Sequence, residues 1–149
     1  GSYSWHFEGK PKGLTTSGEK IDAFDNYYGD PHLSTSGAAT LPTNPVLKLA
    51  DEDLFTWYSW DSSWSSWPLD GSTITGMASE DINGVSFDDW TGDFYVTILG
   101  AFNLGGVSGD GKSIVRLEWN GSGYTPSLVP WLAPGATFPS PIDAIDLAR

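Results

Sequence analysis

The chain contains no cysteine, a single methionine and two histidines in 149 residues. Disulfide frameworks, thiolate zinc sites and cysteine nucleophiles are therefore excluded. Basic residues are scarce as well: seven Lys and Arg stand against nineteen Asp and Glu, a formal charge of −12. A field of that sign repels phosphate backbones and disfavours docking on anionic lipid, so neither nucleic acid nor a charged membrane surface is the expected partner. No apolar run approaches the length of a membrane span, so no transmembrane segment is expected, and no signal peptide is visible. Little charge does not mean disorder here. Aromatic residues make up 14% of the chain and include eight Trp, a composition unlike that of a solvated acidic tail. Low Lys, no Cys and abundant Gly, Ser, Thr and Trp lean towards an extracellular, cell-surface or periplasmic setting.

Helical periodicity is also nearly absent. Eighteen Gly and ten Pro cut the chain into short runs rich in β-branched and aromatic residues, which predicts an all-β protein. Those runs recur. Ile21-Asp22-Ala23-Phe24 returns as Ile82-Asn83-Gly84-Val85 and as Ile142-Asp143-Ala144-Ile145, at intervals of 61 and 60 residues. Gly29-Asp30 is matched by Gly92-Asp93, Gly37-Ala38 by Gly100-Ala101, and Val46-Leu47-Lys48-Leu49 by Ile114-Val115-Arg116-Leu117. Ordered matches of this kind indicate a repeat of about 60 residues. Each copy reads as a four-stranded meander, with strands expected near 21–27, 32–36, 45–50 and 55–60, then 82–87, 93–99, 113–119 and 127–132. The predicted organisation is an outer strand of a partial unit in 1–19, a first repeat over 20–80 with a Trp-rich insert at 54–68, a second repeat over 81–141, and the first strand of a further partial unit in 142–149.

An Ile-Asp-Ala strand start, then Gly92-Asp93-Phe94-Tyr95-Val96-Thr97, then Gly109-Asp110-Gly111-Lys112-Ser113-Ile114-Val115-Arg116-Leu117, resembles a β-propeller blade. It is similar to the large-blade repeats of bacterial secreted and surface proteins over about residues 20–149. The chain departs from that pattern at Asn83-Gly84 and in the long Trp-rich stretch. The resemblance implies a binding or scaffolding role. Two blades do not close a ring, so the expectation is that the chain is a piece of a longer protein, or that several copies assemble, or that the two meanders face each other as a β-sandwich.

The densest chemistry lies between Leu54 and Pro68. Trp57, Trp60, Trp64 and Trp67 fall at spacings of three, four and three, which would align them on one helical face, with Asp51 or Asp53 as cap and Pro68 as stop. An irregular loop is the equal alternative, because Ser is a middling helix former. The candidate binding set is Trp57, Tyr58, Trp60, Asp61, Trp64 and Trp67. It suits a protein partner, since Trp is enriched at interface hot spots. It also suits a glycan, with rings stacking on sugar faces and neighbouring Ser and Asp bonding hydroxyls. Packing of the same rings under a sheet edge is the plain structural alternative.

Eleven carboxylates and no basic residue lie between Lys48 and Lys112. Asp22 and Asp143 recur at the strand starts, with Asp81, Asp25 and Asp146 as neighbours, and if those starts line an axis their carboxylates would crowd there and call for a cation such as calcium. His6 and His32 would make a two-His metal site if they met. Enzyme motifs are missing: there is no Gly-x-Ser-x-Gly elbow, no His-Glu-x-x-His and no ordered phosphate loop. A glycosidase pair drawn from Asp61, Glu80 or Asp88 has nothing to single it out. The expectation is a non-catalytic extracytoplasmic binding or assembly module acting through a Trp-rich surface, with a lectin-like module, calcium-dependent or not, as the alternative and a glycoside-active enzyme behind both.

Overall fold

The computed structural model describes residues 7–130, 138 and 140–146. Within them the protein is all-β. The strands are β1 (Ile21–Tyr27), β2 (Asp30–Thr35), β3 (Ala39–Leu41), β4 (Leu47–Leu49), β5 (Leu54–Tyr58), β6 (Ser63–Leu69), β7 (Ile82–Asp88), β8 (Asp93–Ile98), β9 (Phe102–Leu104), β10 (Val107–Gly109), β11 (Ile114–Trp119) and β12 (Tyr124–Leu128). Strands β1-β2-β5-β6 form one antiparallel sheet in that order, and β7-β8-β11-β12 form a second with the same order. A small hairpin, β3–β4 or β9–β10, is inserted between the second and third strands of each sheet. No ring or barrel closes among the described residues.

This order corrects two sequence expectations. Val46 to Leu49 is not the counterpart of Ile114 to Leu117: β4 pairs with β3 in the inserted hairpin, and the partner of β2 in the sheet is β5. The 54–68 stretch is therefore neither helix nor loop. It supplies β5 and β6, the third and fourth strands of the first sheet, with Trp57 directly opposite Trp64. Trp57 and Trp64 face each other across the β5–β6 pair, Trp60 lies in the turn between the strands, and a register shift in β6 takes in Trp67, so cross-strand pairing prevails over the three-and-four spacing. The last strand of the second sheet lies at Tyr124–Leu128, earlier than the expected 127–132. Residues 7–19 hold a 3-10 turn at Lys10–Lys12 and no strand, and residues 1–6, which carry His6, lie outside the described set.

The two sheets stack with β1 beside β7. Their shared core includes Ala23 and Leu54 from the first sheet and Val85, Phe94, Val96, Val115 and Leu117 from the second. A second cluster of Leu33, Leu41, Leu49, Phe55 and Trp64 fills the other face of the first sheet, roofed by Leu14 and the β3–β4 hairpin. Strands β2 and β8 are consequently buried on both faces, β8 through the run Phe94 to Ile98 and β2 through Leu33, Ser34 and Thr35 with a hydrogen-bonded His32.

Repeated polar ties hold this frame. Asp30, which opens β2, accepts bonds from the Ser59 N–H (2.9 Å) and hydroxyl (2.8 Å) at the end of β5. Asp93, which opens β8, accepts from the Trp119 N–H (2.8 Å) at the end of β11 and pairs with Arg116 (2.6 Å). The Gly-Asp column of the repeat thus ties the second strand to the third in both sheets. Burial opposes ionisation of Asp93, yet the Trp119 N–H and the guanidinium together hold its carboxyl below the ordinary range.

Between the sheets, the buried Asp25 carboxylate of β1 accepts the Phe87 N–H of β7 at 2.9 Å. Both first strands carry a bulge at one position, Asp22 in β1 and Asn83 in β7. Asn83 donates to the Ile142 carbonyl (3.2 Å), so 142–145 lies along β7. A Cβ on Gly84 would stand 2.4 Å from the Thr97 hydroxyl and 3.5 Å from Ala144 Cα, which accounts for glycine where β1 has Ala23.

Glu19 clamps the N-terminal segment. Its carboxylate accepts N–H bonds from Thr15 and Thr16 (2.7 Å each) and from Thr40 on β3 (3.0 Å). Those bonds, Thr40 first, hold its pKa down to about 2. The stability it contributes is present above the ordinary 4.5 and is lost as pH falls through 2. Substituting Glu19→Ala strands these donors and should cost about 3 kcal/mol, on the order of 10 °C in thermal midpoint at pH 7. Calorimetry of E19A across pH 2–7 checks this, and an unchanged midpoint at pH 7 contradicts it.

Candidate functional site

In a meander of this order the β1–β2, β5–β6, β7–β8 and β11–β12 turns all fall at one end. The turns at that end carry the most exposed aromatic side chains of the described residues. Tyr28 is 83% exposed, Trp60 78% and Trp90 93%. Local chemistry explains the presentation. Tyr28 and Gly29 form a two-residue turn in which both φ are positive, 48° and 94°, the primed geometry that matches strand twist. Ser59–Ser62 and Asp89–Gly92 are four-residue loops, each ending in a positive-φ residue, Ser62 (58°) or Gly92 (78°). Trp60 and Trp90 occupy the second position of these loops. Two different sheets therefore hold out a Trp in the same way.

Turn carboxylates stiffen the loops. Asp61 accepts the Ser63 N–H (3.1 Å) and hydroxyl (2.6 Å), and Asp88 accepts the Trp90 N–H (3.0 Å). Tyr28 donates its hydroxyl to Asp89 at 3.4 Å, joining the tips of the two sheets. Tyr58 lies 6.3 Å from Trp60, centroid to centroid, and Trp119, 43% exposed, sits at the end of β11. The result is an aromatic rim laced with acids.

The candidate residues named from sequence divide across this structure. Tyr58, Trp60 and Asp61 belong to the rim. Trp64 is buried, its indole N–H donating to the Lys12 carbonyl at 2.7 Å, and it stacks edge-on against Trp57 (4.9 Å), which is half-buried. Trp67 belongs to β6, and its side chain lies outside the described set. Trp90 and Tyr28 were missed because attention to a single run hid a distributed pattern. The signal was an aromatic inside a turn of Gly, Ser and Asp, present in Tyr28-Gly29, Trp60-Asp61-Ser62 and Trp90-Thr91-Gly92.

At the opposite end the Asp22 and Asp81 carboxyls face each other. Asp143 is exposed, and among the described residues no three ligating side chains converge on a point. The expected triad is thus a pair. His32 is buried in the core, its Nδ1 2.7 Å from the Thr56 hydroxyl, with its ring stacked on Tyr27. Asp22 and Asp81 form a carboxyl–carboxyl contact between β1 and the residue preceding β7, with an Oδ1 of each buried and without a hydrogen-bond partner. Burial first, then the facing Asp81 charge, push Asp22 up to about 7, and burial raises Asp81 as well.

A folded-state pKa above the ordinary 3.8 means that the folded state holds this proton more tightly than the unfolded chain. The stabilisation is complete below pH 3.8 and disappears as pH rises through 7. Asn already fills the same bulge position in β7, so Asp22→Asn is tolerated by the geometry. Thermal midpoints of the parent should fall between pH 5 and 8, and D22N should flatten that slope; parallel slopes would show that the pair does not titrate there. No family model, no curated protein and no solved structure matches this chain.

Proposed function

We propose that the chain is a non-catalytic, extracytoplasmic binding module that grips a protein partner with the aromatic rim. One observation carries this reading: Tyr28, Trp60 and Trp90 hold highly exposed rings on three hairpin tips at one end of two sheets that share a core. Large aromatic rings fixed at low entropic cost are the residues that dominate protein interfaces. Each Trp would bury roughly 200 Å² on docking, so the rim supplies a good part of the ~800 Å² per partner of a standard interface. The rings are spread over separate loops, which suits a broad surface better than one sugar ring.

The flanking acids define the partner. Asp61, Asp88, Asp89 and Glu118 surround the rings, and the whole chain carries −12. A basic surface, with arginine able to stack on an exposed indole and to pair with a carboxylate, is the complement. Away from the rim, Glu19, Asp25, Asp30 and Asp93 serve as ties between segments of the frame, which supports a structural rather than a catalytic use of those acids.

The test is selection from a displayed peptide and protein-domain library, with the parent chain as bait. Binders should be arginine-bearing and salt-sensitive. Trp60→Ala/Trp90→Ala should weaken them at least 30-fold, about 2 kcal/mol, with the thermal midpoint unchanged because both rings are exposed. Binders indifferent to that double substitution would overturn the reading. So would a glycan-array signal that the same substitution abolishes, since it would place a sugar at the rim.

A further inference from the structure

A cleft of about 610 Å³ opens on the face of the first sheet that carries the second core. Three segments wall it: the 3-10 turn with Lys10 and Lys12, the β3–β4 loop with Asn44, and the β5–β6 hairpin with Trp57, Ser62 and Trp64. These walls are tied together. Trp64 bonds the Lys12 carbonyl, and Gly13, at φ 105°, packs so close that a Cβ there would stand 2.6 Å from the Pro42 ring. The Lys12 ammonium lies 4.8 Å from the centre of the Trp57 ring.

The charge of this cleft is opposite to that of the chain. It gathers two of the seven basic residues and has no carboxylate among its walls. Neither lysine forms an ion pair with a described residue. Two ammonium groups, an indole face, an amide and a hydroxyl converge in one concavity.

We infer that this cleft binds a carboxylated sugar, a uronate unit of an acidic glycan. The sugar carboxylate meets Lys10 and Lys12, its ring packs beside the Lys12–Trp57 pair, and its hydroxyls bond Asn44 and Ser62. A neutral sugar would leave two ammonium charges unused, and a bare phosphate or sulfate would leave the indole unused. Acidic peptide is the competing occupant; the hydroxyl and amide lining around an aromatic face favours the sugar. The site uses residues other than those of the rim, so the two readings stand or fall separately.

Trp fluorescence and calorimetric titration with a galacturonic acid oligomer, its fully methyl-esterified form and poly-glutamate test this on the whole chain. The acid oligomer should bind at low salt, and the ester at least tenfold more weakly. Lys10→Gln, which leaves the Lys12 cation–π contacts intact, should weaken the acid oligomer severalfold with an unchanged thermal midpoint, Lys10→Gln/Lys12→Gln should lose it by about tenfold or more, and W60A/W90A should bind it like the parent. Equal binding of acid and ester, or no binding of the acid oligomer, overturns the proposal. Poly-glutamate binding as tightly as the oligomer reassigns the cleft to acidic peptide.

Discussion

Strands β2 and β8 are buried on both faces, and the rest of the architecture follows from that requirement. A strand with two apolar faces needs cover on each side. Stacking the sheets covers the facing sides with one core of Phe, Val, Leu and Ile. The outer side of the first sheet is covered by the N-terminal segment and the β3–β4 hairpin, and that of the second meets Ile142 and Ala144. Two of these covering segments have a second consequence: placed over β5 and β6, they create the lysine-lined cleft.

Polar ties then set the geometry that apolar packing leaves loose. The Asp30 and Asp93 carboxylates fix the second strand against the third, and Asp25 fixes one sheet against the other. The Asp25 and Asp93 bonds are buried or half-buried, so each is stronger than its counterpart in water, while those of Asp30 lie at the surface. Beyond these ties the hairpin tips are joined only at their surface, by Tyr28 on Asp89 and Tyr58 beside Trp60, which leaves the rings of Tyr28, Trp60 and Trp90 largely exposed. Acids at the tips and lysines in the cleft divide one strongly negative molecule into two surfaces of different chemistry.

Much of this was readable beforehand. Gly and Pro punctuation around β-branched runs located most strands, because turn chemistry is local. The repeat was visible through columns with a structural duty: the bulge at Asp22 and Asn83, and the Gly-Asp step that ties strands. The match of Val46–Leu49 with Ile114–Leu117 failed because two short apolar strands look alike in sequence, and only pairing partners tell an inserted hairpin from a sheet strand. The Trp row was misread for a related reason. Its three-and-four spacing arises because one Trp sits in the hairpin turn and a register shift separates the last two within β6, and no local signal distinguishes that from a helical face.

The sequence by itself determined the all-β class, the tandem character, the acidic surface and the abundance of Trp, since these depend on composition and on interactions between near neighbours. Tertiary structure decided which Trp is buried and which is presented, that Asp22 meets Asp81 while Asp143 stays apart, and that Lys10 and Lys12 share a cleft with Trp57. Those outcomes rest on contacts between residues dozens of positions apart. Their energies exist only once the sheets have paired and stacked.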